Sequence, residues 1–202
     1  MFTLRTTPTS PFGRKVRIGA AVLGLQDHLN LVPADTLDPA DTLRHQNPLG
    51  KMPCLLLEDG TPLYDSGVIL EFLQEQAGST ALVATSGLDR YRVLTLARLI
   101  DGVTESGLLM VYEARFREPE HISRRWLDHQ RGKVERGLAA LEATPPALAL
   151  DLAGIGLVCA LGYLDWRKPV AWRPTHPKLV AWLESMRAQF PIIDATKVPE
   201  GA

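Results

Sequence analysis

The sequence predicts an α/β domain over residues 1–77, followed by an all-helical domain over residues 87–202. Three observations predict this fold class. The chain opens with a strand, a helix and a second strand, which implies parallel neighbours. The dipeptide Asp59-Gly60 lies between two apolar runs, which is a strong hairpin signal. Beyond the linker, no segment has the pattern of a strand.

The first domain has the order β-α-β, then a loop, then β-β-α. The first helix is expected to begin at Pro11, which suits the first helical position, and to stop near Gly24. A second helix is expected to stop at Gly78. Strands are expected at 2–6, 28–32, 54–58 and 61–64, and helices at 11–25 and 66–76.

Residues 78–87 are small and polar and are expected to form a linker. Helical patterns follow at 88–117, 121–141, 151–163 and 177–190. The segment 151–163 is apolar on all sides and rich in Gly and Ala, which is typical of a central, buried helix. The second domain is therefore expected to be all-helical, and the chain has no internal repeat.

Composition and charge exclude several classes of function. The chain has 22 basic and 23 acidic side chains, and this net charge of -1 argues against a general binder of nucleic acid or anionic membranes. Cys54 and Cys159 lie in no metal-binding pattern, so we expect neither a metal site nor a disulfide-stapled secreted domain. There is no signal-peptide pattern, and the longest apolar run, 152–164, is too short to span a bilayer. We therefore expect a soluble, cytoplasmic protein.

Three segments of the first domain, residues 9–17, 47–53 and 64–67, are candidates for ligand binding. Each lies where a strand or loop meets a helix or a new strand. Loops at the carboxyl ends of parallel strands converge on one edge of a sheet. Together the segments therefore predict a groove for a short anionic peptide that carries a thiol.

Ser10 precedes Pro11 at a strand-to-helix turn and is expected to cap the helix. The same helix start offers unpaired N–H groups and partial positive charge, which would stabilise a bound thiolate or another anion. Arg14, Lys15 and Arg17 crowd this end, where cations are disfavoured. A nearby anionic ligand would offset that penalty, and solvated surface charge is the other explanation.

Met52-Pro53 comes just before the third strand. Most X-Pro bonds are trans and about 5–6% are cis, so both forms stay open at this point. In one interpretation the proline only ends the loop, because it removes a hydrogen-bond donor. A cis bond would turn the backbone of Met52 outward, where it could pair with a peptide-like ligand as an added strand.

Asp65 and Ser66 open the last helix of the first domain. They can act as caps alone. Alternatively, Ser66 and the adjoining N–H groups could hold a ligand carboxylate while Asp65 pairs with an ammonium group. The pair would then recognise the zwitterionic head of an α-amino acid.

On these motifs the chain resembles a glutathione S-transferase of the bacterial group that carries a serine in S-P-F-x-R-K-V. The stretch N-P-L-G-K-M-P is similar to the family's N-P-x-G-K-V-P, whose proline is cis, and D-S is similar to the family's E-S or D-S pair. The resemblance covers nearly the whole chain. It implies a thioredoxin-like, glutathione-binding first domain with the order β-α-β-α-β-β-α. It also implies a helical second domain that holds the second substrate and forms a homodimer.

The resemblance implies that Ser10 is the catalytic residue, with its hydroxyl donating to the glutathione sulfur, and that Thr9 is the substitute hydroxyl. A free thiol with a pKa near 8.5 is only a few per cent thiolate at pH 7. A downward shift of one to two units, about 1.4 kcal/mol each, would make a large fraction thiolate. One charge-assisted hydrogen bond and the helix end can supply about that much.

The resemblance assigns the rest of glutathione to the other two segments. Met52, beside Pro53, would pair through its backbone with the cysteinyl unit. Asp65 and Ser66 would hold the γ-glutamyl group, and Lys51 would reach the glycyl carboxylate. Glutathione is thus expected as a cosubstrate.

The second substrate is expected to be a small electrophile bound against the helical domain. Met110 and Tyr112 on its first helix are candidates for contacting it, with a role in the core as the alternative. A glutathione-dependent reductase or isomerase would use the same Ser10 site. A non-catalytic binding or regulatory protein of the same fold is a third possibility, because function depends on the site rather than the fold.

The sequence departs from the family's pattern in two places. Where a thioredoxin-type enzyme has Cys-x-x-Cys, this chain has Ser10-Pro-Phe-Gly13, so dithiol redox chemistry by the protein itself is not expected. The family's helix-capping motif Ser/Thr-x-x-Asp is replaced by Asp151-Leu-Ala-Gly154. Loss of the acidic residue is expected to cost about 1 kcal/mol of stability.

Overall fold

The chain divides into two compact units. The computed structural model describes residues 1–201. One unit consists of residues 1–87 together with the segment that begins at Ile192, and the other unit consists of residues 88–191. A four-stranded sheet with helices forms the first unit, and the second is helical. The fold class predicted from the sequence is confirmed.

The first unit begins with the order β-α-β-α-β-β-α. Its elements are β1 (Phe2–Thr6), α1 (Pro11–Val22), β2 (Leu29–Pro33), α2 (Leu43–Gln46), β3 (Cys54–Leu56), β4 (Pro62–Leu63) and α3 (Ser66–Gln76). Helix α1 ends at Val22, close to the stop expected at Gly24, where the chain turns with a φ of 70°. Helix α2 lies in the segment where the apolar pattern indicated only a loop.

The sheet has the strand order β2-β1-β3-β4. Strand β1 is parallel to β2 and antiparallel to β3, and β3 is antiparallel to β4. The expected hairpin closes through the N–H of Leu57, which donates to the carbonyl of Thr61 at 2.9 Å. Strand β1 is therefore an inner strand of the sheet.

The second unit contains the four expected helices. They are α4 (Gly87–Phe116), α5 (Arg124–Ala143), α6 (Leu152–Arg167) and α7 (Pro177–Gln189). Helix α6 is buried along most of its length, as its apolar composition predicted. No helix among residues 1–201 has both the length and the apolar character needed to cross a membrane.

The first unit includes two segments outside the expected range of 1–77. Gln74 of α3 accepts from the N–H groups of Leu82 and Val83, both at 2.9 Å, which holds the linker against the first unit. After the helical unit, the chain returns as α8 (Ile192–Ala195). The guanidinium of Arg14 donates to the carbonyl of Ile193 at 2.7 Å and fixes this helix to α1.

The start of α6 explains the departure from the family's capping motif. Asp151 caps the helix, and its Oδ1 accepts from the N–H of Gly154 at 2.7 Å. A side chain at residue 154 would overlap the carbonyl oxygen of Ala149. The chain therefore has no room for an acidic side chain at residue 154. The other half of the capping box, the hydrogen bond from the Gly154 N–H to the Asp151 side chain, is kept.

We expect Gly154→Ala to lower the free energy of unfolding by about 1–3 kcal/mol, because backbone blocks the added methyl group and no rotamer relieves the overlap. The control is Gly102→Ala on α4, where the added methyl group meets open space. That change should stabilise the protein by up to about 1 kcal/mol. Urea denaturation of both variants measures the difference, and a Gly154→Ala variant as stable as the parent would contradict this account.

Candidate functional site

The three candidate segments meet at one edge of the sheet. In the sheet register, Arg5 lies opposite Cys54, and Leu55 lies opposite Leu63. The carboxyl end of β1, the start of β3 and the end of β4 therefore lie at the same edge. All three segments extend directly from these strand ends, so the fold brings them together as the sequence predicted.

Ser10 caps α1, as its position in the sequence predicted. Its Oγ accepts from the N–H of Gly13 at 3.0 Å, and the residue is 9% exposed. Its own hydroxyl proton has no acceptor within residues 1–201, so it is available to a ligand. A side chain at Gly13 would overlap the hydroxyl of Thr6, so glycine allows the first turn of α1 to approach the end of β1.

Two threonine hydroxyls connect the first segment to the second. The Oγ1 atoms of Thr7 and Thr9 lie 3.0 Å apart. The Oγ1 of Thr7 also donates to the Sδ of Met52 at 3.4 Å. The hydroxyl of Thr9 is therefore engaged by its neighbour, whereas the proton of Ser10 is not.

Asn47 shapes the loop before β3. It is buried, its Nδ2 donates to the carbonyl of Lys51 at 2.8 Å, and its Oδ1 accepts from the N–H of Leu49 at 3.0 Å. The Met52–Pro53 peptide bond is cis, as the family resemblance implied. Within the described part of the chain, the N–H and C=O of Met52 have no hydrogen-bond partner.

Asp65 and Ser66 lie at the start of α3, as expected. Asp65 is exposed, and its Oδ1 accepts from the N–H of Gly67 at 2.9 Å, which leaves its second oxygen available. Ser66 is 2% exposed, and its hydroxyl forms no hydrogen bond with any of residues 1–201. Both residues thus combine a capping position with unused hydrogen-bonding capacity.

Two of the basic residues after Ser10 are not solvated surface charges. Arg14 is buried, and its guanidinium donates to the carbonyl of Ile193 and to the Oγ1 of Thr196. Lys15 is 2% exposed, and its Nζ lies 6.0 Å from the centre of the Phe12 ring. The explanation by surface charge is therefore wrong for this pair, and Arg14 is committed to α8 rather than to a ligand.

Arg5 holds the segment before β3 in place, a role that the sequence did not predict. From the buried strand β1, its guanidinium donates to Asp41 Oδ1 at 2.7 Å and to Gln46 Oε1 at 2.8 Å. The N–H of Asp35, then that of Leu43 and the Arg5 guanidinium, hold the pKa of Asp41 below its usual range, and burial opposes them in part. This cluster fixes α2, which leads directly into the loop shaped by Asn47.

The protein's own thiol in this unit is not placed to act as a nucleophile. Cys54 is fully buried, and burial raises the pKa of its thiol. Among residues 1–201, no group of three or more His, Cys, Asp or Glu residues could hold a metal ion. The starts of α1 and α3 offer hydroxyl and carboxylate groups for hydrogen bonding to a ligand.

The two candidates for second-substrate contact lie in the helical unit. Met110 and Tyr112 are both on α4. Met110 is buried, whereas Tyr112 is half-buried and packs edge-on against Phe116, with ring centroids 5.3 Å apart. Tyr112 is therefore the more accessible of the two.

Comparison with known proteins places the chain in a family. The model of the glutathione S-transferase N-terminal domain matches residues 9–76. The GST-like protein YibF of Escherichia coli K12 is 33% identical over 186 residues, which cover 88% of this chain and 90% of that protein. The chain therefore belongs to the glutathione S-transferase family.

Solved structures of a relative agree over nearly the whole chain. A glutathione transferase family member from Pseudomonas fluorescens Pf-5, solved with bound glutathione, is 41% identical with a TM-score of 0.91. Its structure with bound S-(propanoic acid)-glutathione gives 40% identity and a TM-score of 0.87. Each match covers 98% of this chain and 100% of that chain.

We expect Asp41→Asn to reduce the stability of the fold at pH 7 by about 1.5–3 kcal/mol, since it weakens hydrogen bonds made by a charged group. The pKa of Asp41 is lowered in the folded state. Its contribution is therefore complete above the unfolded pKa of about 3.9 and is lost as pH falls through the folded pKa.

Urea denaturation across this pH range should thus show the parent and Asp41→Asn converging as the solution becomes acidic. The control is Asp27→Asn, which alters an exposed carboxylate of the same unit and should change stability by less than about 0.5 kcal/mol. A stability difference for Asp41→Asn that stays constant down to pH 3 would contradict the role assigned to this carboxylate.

Proposed function

We propose that this protein is a glutathione transferase that binds glutathione at the edge of the sheet and activates its thiol with Ser10. The observation that carries the proposal is the state of the Ser10 hydroxyl. Its oxygen is held by the N–H of Gly13, while its proton has no acceptor among residues 1–201. A donor fixed in this way at a helix start is suited to a sulfur anion.

The proposed chemistry lowers the pKa of the bound thiol. A serine hydroxyl is too weak an acid to lose its proton without a partner, so Ser10 cannot act as an alkoxide base. It instead donates its proton in a hydrogen bond to the sulfur and stabilises the thiolate. The start of α1 has no acidic residue in its first turn, so its partial positive charge adds to this effect. The thiol proton passes to solvent, and the thiolate attacks the electrophilic carbon of the second substrate. With an activated aryl halide, the new C–S bond replaces the carbon–halogen bond, and the halide leaves with its electron pair, so that the product is a thioether.

The remaining contacts of glutathione are proposed for the second and third segments. The N–H and C=O of Met52, beside Pro53, would pair with the cysteinyl unit in the manner of an added strand. Ser66 and the N–H groups at the start of α3 would hold the carboxylate of the γ-glutamyl unit. The second carboxylate oxygen of Asp65 would bind the ammonium group of the same unit. Lys51, which is exposed, would reach the glycyl carboxylate.

Conjugation is favoured over reduction or isomerisation by one observation on a relative. The Pseudomonas fluorescens protein was solved with S-(propanoic acid)-glutathione, in which the glutathione sulfur carries a carboxyalkyl group. We propose that this chain likewise joins glutathione to a small electrophile, with Met110 and Tyr112 of α4 contacting it. We also propose that the protein is a cytoplasmic homodimer. Light scattering would measure the mass of the dimer.

We expect Ser10→Ala to raise the pKa of glutathione's thiol in the complex and to lower the conjugation rate at pH 7 by about 10–100-fold. That range corresponds to losing one hydrogen bond to a charged group, about 1.5–3 kcal/mol. The ultraviolet absorption of the bound thiolate measures the pKa, and the rate with an activated aryl halide measures turnover.

The matched control is Thr9→Val, which removes the neighbouring hydroxyl at nearly constant shape and should leave the thiol pKa unchanged. Calorimetry shows whether each variant still binds glutathione. A pH profile that shifts for Thr9→Val and not for Ser10→Ala would transfer the role to Thr9. No binding of glutathione to the parent at millimolar concentration would overturn the proposed function, and faster turnover of a peroxide or mixed disulfide than of the aryl halide would indicate a reductase.

A further inference from the structure

Thr7 contacts two residues of the candidate glutathione site. It lies between β1 and α1, and its side chain is half-buried. Its carbonyl oxygen accepts from the N–H of Ser10 at 3.2 Å. Its hydroxyl donates to the Sδ of Met52 at 3.4 Å. Thr7 therefore connects the residue proposed to bind the glutathione sulfur to the residue proposed to bind the cysteinyl backbone.

The direction of the threonine hydrogen bonds follows from the chemistry of their acceptors. A thioether sulfur carries no proton, so Thr7 must be the donor in its contact with Met52. A threonine hydroxyl has one proton, so Thr9 must be the donor in the 3.0 Å contact between Thr7 and Thr9. The bond from Thr7 to Met52 therefore does not depend on the hydroxyl of Thr9.

Other contacts hold Met52 from the side of α2. Its side chain packs against a buried apolar cluster that consists of Ala34, Leu43 and Cys54. Asn47 Nδ2 donates to the carbonyl of Lys51 at 2.8 Å. That carbonyl and the N–H of Met52 belong to one planar peptide unit, so Asn47 also fixes the direction of this N–H. These contacts do not involve residues 7–10, and the bond from Thr7 adds the restraint between Met52 and the segment of Ser10.

The proposed binding mode requires two contacts from one cysteinyl unit. Its sulfur would accept from the hydroxyl of Ser10, and its N–H and C=O would pair with those of Met52. The sulfur and the backbone of a cysteine are joined through Cα and Cβ, so their separation is limited to what three staggered rotamers about one bond allow. Both contacts are therefore made well only if Ser10 and Met52 are correctly spaced, to within about 0.5 Å.

We propose that Thr7 is a positioning residue that holds Met52 at the spacing from Ser10 that the cysteinyl unit of glutathione requires. This inference rests on the proposed function and adds to it a residue that acts through two others. The carbonyl of Thr7 holds the backbone of Ser10, and its hydroxyl holds the side chain of Met52. Loss of the hydroxyl keeps the first contact and removes the second. The bound cysteinyl unit then satisfies one partner at the expense of the other.

The test compares Thr7→Val with Thr7→Ser in the whole protein. Thr7→Val removes the hydroxyl at nearly constant shape and should weaken the binding of glutathione, measured by calorimetry, by about threefold to tenfold. It should also raise the pKa of the bound thiol, which the ultraviolet absorption of the thiolate measures, because the sulfur no longer lies at its best distance from Ser10. Thr7→Ser keeps the hydroxyl and should restore both values to those of the parent.

A second variant removes the same hydrogen bond from its other end. Met52→Leu deletes the sulfur acceptor at nearly constant volume and should have the same two effects as Thr7→Val. Because both changes remove one bond, the double variant should bind glutathione as well as either single variant does. The matched control is Thr3→Val, which removes a hydroxyl of β1 that forms no hydrogen bond with any of residues 1–201. It should leave the affinity and the thiol pKa unchanged.

Thermal denaturation shows whether each variant is folded. The proposal is overturned if Thr7→Val keeps the parent's affinity and thiol pKa, if Thr7→Ser fails to restore them, or if the losses in the double variant add. The parent protein separates this outcome from failure of the proposed function. A parent that does not bind glutathione overturns both proposals. A parent that binds glutathione and lowers its thiol pKa, beside an unaltered Thr7→Val, overturns only the role of Thr7.

Discussion

The close approach of Gly13 to Thr6 is the contact on which the candidate site depends. It brings the first turn of α1 against the end of β1, because no side chain separates the helix from the strand. Ser10 then caps that turn with its Oγ, and its hydroxyl proton has no acceptor among residues 1–201. The site is thus built from element ends that the sheet register has already aligned, which is how a small-ligand site is preorganised.

Most of the fold could be predicted because its elements begin and end at chemically distinctive residues. Pro11 marks the start of α1, and Asp59-Gly60 marks the hairpin. Helix α2 (Leu43–Gln46) escaped the apolar pattern because four residues make barely one turn, too few to show a period of 3.6. The return of the chain as α8 was missed for the same reason.

The site residues were predictable where chemistry coincides with local position. Ser10 and Asp65 cap helices, so their neighbours in sequence reveal their geometry. The function of Arg5 was not predictable, because its partners lie 28 to 41 residues further along the chain. A charged residue in a short strand gives no sign of such partners. Arg14 was misjudged for the same reason, since it binds a carbonyl 179 residues away.

The docking of α8 onto α1 through Arg14 makes the helical unit an insertion between two parts of the first unit. During synthesis, residues 1–87 emerge well before their last helix, so the first unit is completed only after the helical unit has been made. Domains usually fold as units while the chain grows. Here the helix that carries Ser10 gains its contact with α8 only after residues 88–191 have been synthesised.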